Sequence, residues 1–333
     1  MVRKISVLSF LLLFSFGAFA QPVKTRHFVF DYSFTVRVSE SGKPLDVWFP
    51  MAHSDRFQQV RILSMTGDLP LKETSEPEYG NKMFYAHADK ATRAEYHFSV
   101  KYDVVRLEHL AAASSDGKSA GKDLERFLQP DKLVPVTGRL AEIARQQVKP
   151  GMSDMEKARA LYDYTFATLR YEKTGTGWGR GDALWACDAK HGNCTDFHSL
   201  FISMARSQHI PAKFEIGFPL PDKSPAGEIP GYHCWAEFYT SQRGWFPVDI
   251  SEAWKNPSEK EYFFGANDVN RIQFSVGRDL ELSPKQRGER LNYFIYPYVE
   301  LGGEAYPNVA NAFSFRDVGA TQSTAQVMRT GTR

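Results

Sequence analysis

Short runs in which apolar and polar residues alternate occupy the first third of the chain. A period of two residues is typical of a half-buried β-strand. The clearest run contains five apolar side chains at every second position: Phe28, Phe30, Tyr32, Phe34 and Val36. Similar short runs follow, separated by glycine and proline. The pattern predicts a β-sandwich over residues 21–110.

Small polar residues at 111–121 interrupt this pattern and are predicted to link two domains. Helical spacing follows the linker. Ser153 and Glu156 have the spacing of a capping box, in which each side chain binds a backbone amide at the start of a helix. An earlier helix is predicted to begin near Val136 and to end at Pro150.

Another helix is predicted to begin at Cys194. Its apolar side chains follow at helical spacing: Phe197, Leu200, Phe201 and Met204. The unpaired amides and the positive end of the helix dipole favour the thiolate form of a cysteine at this position, and the thiolate is the nucleophile. Cys194 is therefore a candidate nucleophile. The alternative is an unreactive cysteine buried under the start of the helix.

A nucleophilic thiol requires a nearby base and a group that orients the base. Strands are predicted at 231–239 and 244–250. A hairpin turn centred on Gln242 would place His233 and Asp249 as diagonal neighbours on one face, about 7–8 Å apart. The pattern thus predicts a triad of Cys194, His233 and Asp249.

Other residues compete for these roles. Glu237 is a poorer orienting group, because four strand residues separate it from His233 by about 14 Å. His198 is a rival base, four residues after Cys194 on the same helix. Asp196 is interpreted as a helix cap or a structural contact. Pro247 requires its strand to lie at a sheet edge or to contain a bulge.

The three cysteines allow further interpretations. Cys234 alternates with His233 along its strand and is predicted to face the core. A disulfide between Cys187 and Cys234 and a pair of free buried thiols are both open. A zinc site is the other alternative, with four potential ligands in one segment: Cys187, His191, Cys194 and His198.

The first twenty residues have the pattern of a secretory signal peptide. Arg3 and Lys4 precede an uncharged apolar run that ends in Ala18, Phe19 and Ala20. Residues 1–20 are therefore predicted to be cleaved, although an uncleaved anchor is the alternative. We expect an exported protein, periplasmic or secreted, that is not stably inserted in a membrane after cleavage.

Composition adds little to this picture. The chain has 333 residues, of which 42% are hydrophobic, and loss of the leader would leave 39 basic and 39 acidic residues. This balance gives no reason to expect nucleic acid as a partner. The alternating glycines at 174–181 lack the context of a nucleotide-binding loop. Residues 319–333 are predicted to be a disordered tail, after closing strands at 293–298 and 312–315.

Three motifs in order, Gly-x-Cys-x-Asp-Phe at 192–197, His-x-Trp-x-Glu at 233–237 and Gly-Trp-x-x-x-Asp at 244–249, resemble the core of the transglutaminase-like superfamily. The resemblance extends over about 136–254. It implies a papain-like α+β core after an N-terminal β-sandwich, with the catalytic domain at 122–318. It also implies that Cys194 is the nucleophile, His233 the general base and Asp249 the orienting group.

The resemblance further implies cysteine-dependent acyl chemistry on peptide or protein amides, by a peptidase, an amidase or a protein-glutamine acyltransferase. Trp185 is the candidate for a second oxyanion donor, ahead of Trp178. No cofactor or metal is expected, and the protein is expected to be monomeric, with a substrate that could belong to the cell envelope. The alternative is a catalytically inactive module that binds a cell-envelope partner.

Overall fold

The structure is a computed structural model that describes residues 23–111 and 124–319. The predicted leader, most of the predicted linker and all but the first residue of the predicted tail lie outside these residues. Within them, no helix has the length and apolar character needed to cross a membrane.

Six strands from the first third of the chain and four later strands form two five-stranded sheets. Strand β1 (Thr25–Arg37) directs its apolar residues to one buried face. It lies in the middle of the first sheet, whose order is β11-β18-β1-β6-β3. The other strands of this sheet are β3 (Gln58–Gly67), β6 (Glu95–Leu107), β11 (Ala226–Glu228) and β18 (Val309–Asp317).

The second sheet packs its inner face against the first. Its order is β17-β16-β2-β5-β4. Phe49 of this sheet contacts Phe34 of β1, with ring centroids 5.0 Å apart. The strands are β2 (Leu45–Pro50), β4 (Lys72–Ser75), β5 (Lys82–Ala88), β16 (Tyr298–Leu301) and β17 (Glu304–Ala305). The predicted N-terminal sandwich is therefore present.

Helices packed on a four-stranded antiparallel sheet form the other part of the molecule. The helices are α1 (Arg139–Gln147), α2 (Asp154–Thr168), α3 (Ala183–Ala189), α4 (Cys194–Ser207) and α5 (Ile250–Lys255). The sheet has the order β13-β12-β10-β15. Its strands are β10 (Ala212–Pro219), β12 (His233–Thr240), β13 (Gly244–Val248) and β15 (Arg271–Val276).

Two short strand pairs complete the described fold. β8 (Arg170–Tyr171) pairs in parallel with β9 (His191–Gly192) just before α4. β7 (His109–Leu110), at the end of the N-terminal part, pairs with β14 (Ala266–Asn267). The predicted α+β class with a preceding sandwich is thus confirmed.

The last strands correct the predicted assignment of residues 122–318 to one consecutive catalytic domain. β18 pairs with β1, and β16 pairs with β2, so both complete the N-terminal sheets. β11, in the segment between β10 and β12, also pairs with β18. Hydrogen bonding to β1 accounts for this return of the chain. Without β18, one edge of β1 would be unpaired, and its backbone groups would lack partners.

Aromatic side chains join the two parts in one core. Phe30 of β1 lies 5.3 Å from Phe218 of β10 and 5.8 Å from Phe274 of β15, measured between ring centroids. Phe313 of β18 lies 4.4 Å from Phe218. Because these rings are fully or almost fully buried, the sandwich and the helical part share their hydrophobic core.

Candidate active site

Cys194 is the first residue of α4, as its sequence context predicts. Asn193 and Asp196 form a capping box around it: the Asn193 side chain accepts from the Thr195 amide at 2.9 Å, and the Asp196 carboxylate accepts from the Asn193 amide at 2.9 Å. The thiol therefore lies at the positive end of a helix of 14 residues.

His233 and Asp249 meet as the predicted hairpin requires. Thr240 pairs with Gly244 and Ala236 with Val248, so the turn is centred at 242. The strand is shorter than predicted, since α5 begins at Ile250. The distance from His233 Nε2 to Asp249 Oδ2 is 2.7 Å.

Cys194 completes this constellation. Its thiol and the His233 ring are close enough for each to shift the pKa of the other. Because Nε2 of His233 is bound to Asp249, Nδ1 is the nitrogen available to the sulfur. The structure therefore brings together the three side chains that the motifs single out, in the order sulfur, imidazole and carboxylate.

The charges of the site favour a thiolate and an imidazolium. Burial opposes ionisation of Cys194, but hydrogen bonds with Cys234 and His233 and the charge of His233 hold its pKa well below the ordinary value. Burial also opposes protonation of His233, yet the charge and hydrogen bond of Asp249 and the contact with Cys194 raise its pKa to about 10. The proton thus resides on His233 at neutral pH.

Asp249 is held by four groups. It caps α5, with Oδ1 accepting from the Glu252 amide and the Ser251 hydroxyl, each at 3.1 Å. Oδ2 accepts from His233 and from Arg271 Nη1, at 2.7 and 2.9 Å. Burial acts to raise the pKa of Asp249, but the charges of His233 and Arg271 outweigh it and hold the pKa well below its ordinary value.

Arg271 is a part of the site that the sequence analysis missed. Its buried guanidinium also donates to Asp268 at 3.0 Å and lies 4.8 Å from the centre of the Trp235 ring. Trp235 is the central residue of the His-x-Trp-x-Glu motif. Arg271 reaches the site because β15 pairs with β10, and no local sequence pattern predicts that pairing.

His198, the predicted rival base, has both ring nitrogens occupied. Nδ1 lies 2.8 Å from the Cys194 carbonyl oxygen, and Nε2 accepts from the Ile250 amide at 3.1 Å. Burial lowers its pKa, so the ring is neutral at pH 7. His198 connects α4 to α5 and is not positioned to take the proton of Cys194.

Glu237 and the alternative zinc ligands have other surroundings. Glu237 lies 2.8 Å from Lys213 Nζ and 3.1 Å from His109 Nδ1, so it does not orient His233. In the described ranges 23–111 and 124–319, no group of three or more His, Cys, Asp or Glu residues is arranged to hold a metal ion. The three cysteines are free and buried.

Asp196 connects the start of α4 to the glycine-containing loop at 174–181. Its carboxylate accepts from the Gly179 amide at 2.7 Å and from the Gly181 amide at 3.0 Å. Gly181 has a φ of 62°, and a Cβ there would lie 2.6 Å from the side chain of Thr195. The loop therefore approaches α4 closely, which explains its glycines better than phosphate binding.

Trp185 lies on α3 and borders the same loop. Its ring is so close to Gly177 that a Cβ there would lie 2.6 Å from Nε1. It also meets the His191 ring edge-on, with centroids 5.4 Å apart. These contacts are those of a packed side chain, and its role as an oxyanion donor stays a prediction.

Tyr232, which the sequence analysis did not single out, borders the site from the position just before β12. Its hydroxyl lies 2.8 Å from Thr195 Oγ1 and 3.1 Å from Asn193 Nδ2. Cys194 is 2% exposed and His233 is 4% exposed. The nucleophile is thus nearly covered.

The part of the chain that contains this site is similar to known proteins. Residues 141–250 match the family model of the transglutaminase-like superfamily. An uncharacterised protein of Haemophilus influenzae is 24% identical over 317 residues, which are 83% of this chain and 86% of that protein. The uncharacterised protein YebA of Bacillus subtilis is 25% identical over 149 residues, 40% of this chain and 20% of that protein.

A solved structure shows the same fold. It is a Cytophaga hutchinsonii protein provisionally named a cysteine protease, with a TM-score of 0.60 at 15% identity, covering 90% of this chain and 93% of that one. The likeness extends through the sandwich as well as the helical part. The match to the transglutaminase-like superfamily thus covers residues 141–250, the part of the chain that contains Cys194, His233 and Asp249.

Proposed function

We propose that the protein catalyses cysteine-dependent acyl transfer on peptide or protein amides. The observation that carries the proposal is the placement of Cys194 at the start of α4, beside an imidazole that lies 2.7 Å from the Asp249 carboxylate and lowers the pKa of the thiol. This arrangement provides a nucleophile, a proton carrier and an orienting group, which together are sufficient for acyl transfer.

The steps follow from the charges. The Cys194 thiolate attacks the amide carbonyl, and His233 gives its proton to the departing amine, which leaves a thioester on Cys194. Neutral His233 then takes a proton from water or from a second amine as that group attacks the thioester. Asp249 keeps the imidazole in one orientation and stabilises its charged form.

The two outcomes are hydrolysis and transamidation. The Cys194 backbone amide is the proposed first donor to the oxyanion, and Trp185 the proposed second donor. With Cys194 2% exposed, the site excludes most water before substrate binds. The signal-like pattern at 1–20 supports the further proposal that the reaction takes place after export, on cell-envelope material.

Trapping of the acyl-enzyme tests the proposal. Purified protein is mixed with a library of short peptides, with or without a labelled primary amine, then quenched in acid and analysed by mass spectrometry. We expect an acyl group on Cys194, lost in the Cys194→Ser variant and kept in the control variant Cys187→Ser. Label in the released peptide indicates transamidation, and its absence indicates hydrolysis.

An inactive binding module would give a different result. Peptides would bind with measurable affinity, but no acyl group would form on Cys194 in the presence or absence of amine. That outcome would overturn the enzymatic proposal, provided that the same preparation shows the native circular dichroism spectrum.

A further inference from the structure

A second thiol lies against the nucleophile. Cys234 follows His233 on β12, and because successive strand side chains point to opposite faces, it is directed toward α4. Its sulfur lies 3.7 Å from Thr195 Oγ1 and 3.9 Å from His198 Nδ1. Both neighbours belong to the first turns of α4, the helix that begins at Cys194.

The two thiols are neighbours. Cys234 Sγ lies 3.7 Å from the hydroxyl of Thr195, the residue after Cys194, and each thiol shifts the pKa of the other. Both residues are buried, at 2% and 0% exposure. Their α4 and β12 elements pack directly on each other. Cys187, by contrast, lies on α3, and its sulfur is 4.0 Å from Lys190 Nζ. No step of the proposed acyl transfer uses the Cys234 thiol as a reactant.

The two sulfurs differ in protonation. Burial and the contact with Cys194 raise the pKa of Cys234 well above its ordinary value, so it keeps its proton. Cys194 carries the negative charge, held by His233. A thiolate that reacts readily with electrophiles therefore lies beside a protonated thiol that is shielded from solvent.

We propose that Cys194 and Cys234 form an oxidisable pair, in which a peroxide converts the nucleophile into a reversible disulfide with Cys234. The inference rests on the proposed function only in taking Cys194 as the reactive thiolate. It assigns Cys234 the role of a resolving cysteine, and it gives the site a reversible inactive state.

The chemistry balances with a peroxide as the two-electron oxidant. The Cys194 thiolate attacks one oxygen of hydrogen peroxide, the O–O bond breaks, and sulfenic acid and hydroxide form. The Cys234 sulfur then attacks the Cys194 sulfur, the S–O bond breaks, and the departing hydroxide takes the Cys234 proton to leave as water. The peroxide is reduced and the two thiols are oxidised.

The position of Cys234 has a protective consequence. Sulfenic acid that finds no thiol is oxidised further to sulfinic and sulfonic acids, which dithiothreitol does not reverse. A thiol adjacent to Cys194 captures the sulfenic acid within the protein. An external thiol can later reduce the disulfide by attack at Cys194, the more exposed of the two residues.

The test compares three proteins in full-length form: the wild type, Cys234→Ala and the matched control Cys187→Ala, which removes the other buried thiol. Each is treated with hydrogen peroxide, alkylated in denaturant and mapped by mass spectrometry, before and after dithiothreitol. Alkylation of native Cys194 by iodoacetamide is measured on the reduced proteins first. Cys234→Ser, which retains a hydrogen-bond donor, replaces Cys234→Ala if that variant does not fold.

We expect a peptide pair linked by Cys194 and Cys234 in the wild type and in Cys187→Ala, with native Cys194 alkylation lost and then restored by dithiothreitol. In the Cys234 variant, Cys194 should accumulate sulfinic and sulfonic acids, and dithiothreitol should not restore its alkylation. Irreversible oxidation of wild-type Cys194, or a disulfide to Cys187, would overturn the inference.

Failure of the proposed function would appear separately. If reduced Cys194 reacts no faster than an ordinary thiol, the proposed nucleophile is wrong before any oxidant is added. If reduced Cys194 is highly reactive but forms no disulfide with Cys234, the acyl-transfer proposal stands and the oxidisable pair is rejected.

Discussion

Arg271 and His233 share one oxygen of Asp249, and this sharing sets the charge felt by the imidazole. The guanidinium lies 2.9 Å from Oδ2 and the imidazole 2.7 Å from the same atom. Part of the carboxylate charge is thus offset by Arg271, which restrains the proton affinity of His233. A base that binds its proton too tightly is a poor acid toward the leaving amine.

The variant Arg271→Met tests this role. We expect the pKa of His233, followed by NMR of the ring, to rise above that of the wild type, because Asp249 loses its other cation. Breaking a buried ion pair should also lower the free energy of unfolding by about 3–5 kcal/mol. Arg271→Lys should recover part of both effects. A His233 pKa that stays constant or falls in Arg271→Met would show that Arg271 has a structural role alone.

Residue-level prediction succeeded where one hairpin was sufficient. The alternation of β12 and the position of the turn placed His233 and Asp249 on one face, and the structure has this register. Arg271 and Tyr232 could not be found in this way. Arg271 depends on pairing with β10, and Tyr232 depends on the packing of α4 against β12, so neither has a local signal.

At the scale of elements, α4 departs from its predicted amphipathic pattern. Every residue from Cys194 to Arg206 is buried, because α1, α2, α3 and the sheet surround the helix. Its polar residues therefore need internal partners. Asp196 is one of these polar residues. Its carboxylate accepts from two amides of the glycine-containing loop and from the Asn193 amide, which couples the position of Cys194 to that loop.

Asp196→Ala should therefore damage the site as well as the helix. We expect the free energy of unfolding to fall by about 2–3 kcal/mol, from the lost cap and the unsatisfied loop amides. Alkylation of Cys194 should slow as the thiolate loses its fixed position. The matched control is Ser153→Ala, which breaks the capping box of α2. Ser153→Ala should lower the free energy of unfolding, measured in urea, by about 1 kcal/mol and leave the rate of Cys194 alkylation unchanged. Equal slowing of alkylation in both variants would contradict the coupling of Asp196 to Cys194.

At the scale of the whole molecule, the two parts are tied by strands that return from the C-terminus. Of the two predicted closing strands, the one at 312–315 lies within β18, whereas only Tyr298 of the one at 293–298 lies in a strand, β16. The partners of β16 and β18 were not predicted. Phe28 pairs with Asp317, and no local pattern reports a contact between positions so distant in the chain. Phe313 of β18 then lies 4.8 Å from Tyr32 and 4.4 Å from Phe218, so one strand contacts both parts.

The shared core predicts one cooperative unfolding transition. Phe313→Ala should lower the unfolding free energy by about 3–5 kcal/mol and move the whole transition, as followed by circular dichroism and by protection of Cys194 from alkylation. Val318→Ala, at an exposed position of the same segment, is the control and should change neither. Two separate transitions, with Cys194 still protected after the sandwich has unfolded, would contradict a shared core.

The pH dependence of Cys194 alkylation by iodoacetamide, with the site identified by peptide mapping, tests the thiolate–imidazolium pair most directly. Because the pKa of Cys194 is lowered and that of His233 is raised to about 10, the rate in the wild type should be constant through the neutral range. His233→Ala should return the thiol to an ordinary pKa near 8.5, with a rate about 30-fold lower at pH 7 that climbs as pH increases. His209→Asn, at an exposed position, is the control. A wild-type rate that climbs through pH ~8.5 like that of an ordinary thiol would contradict the pair.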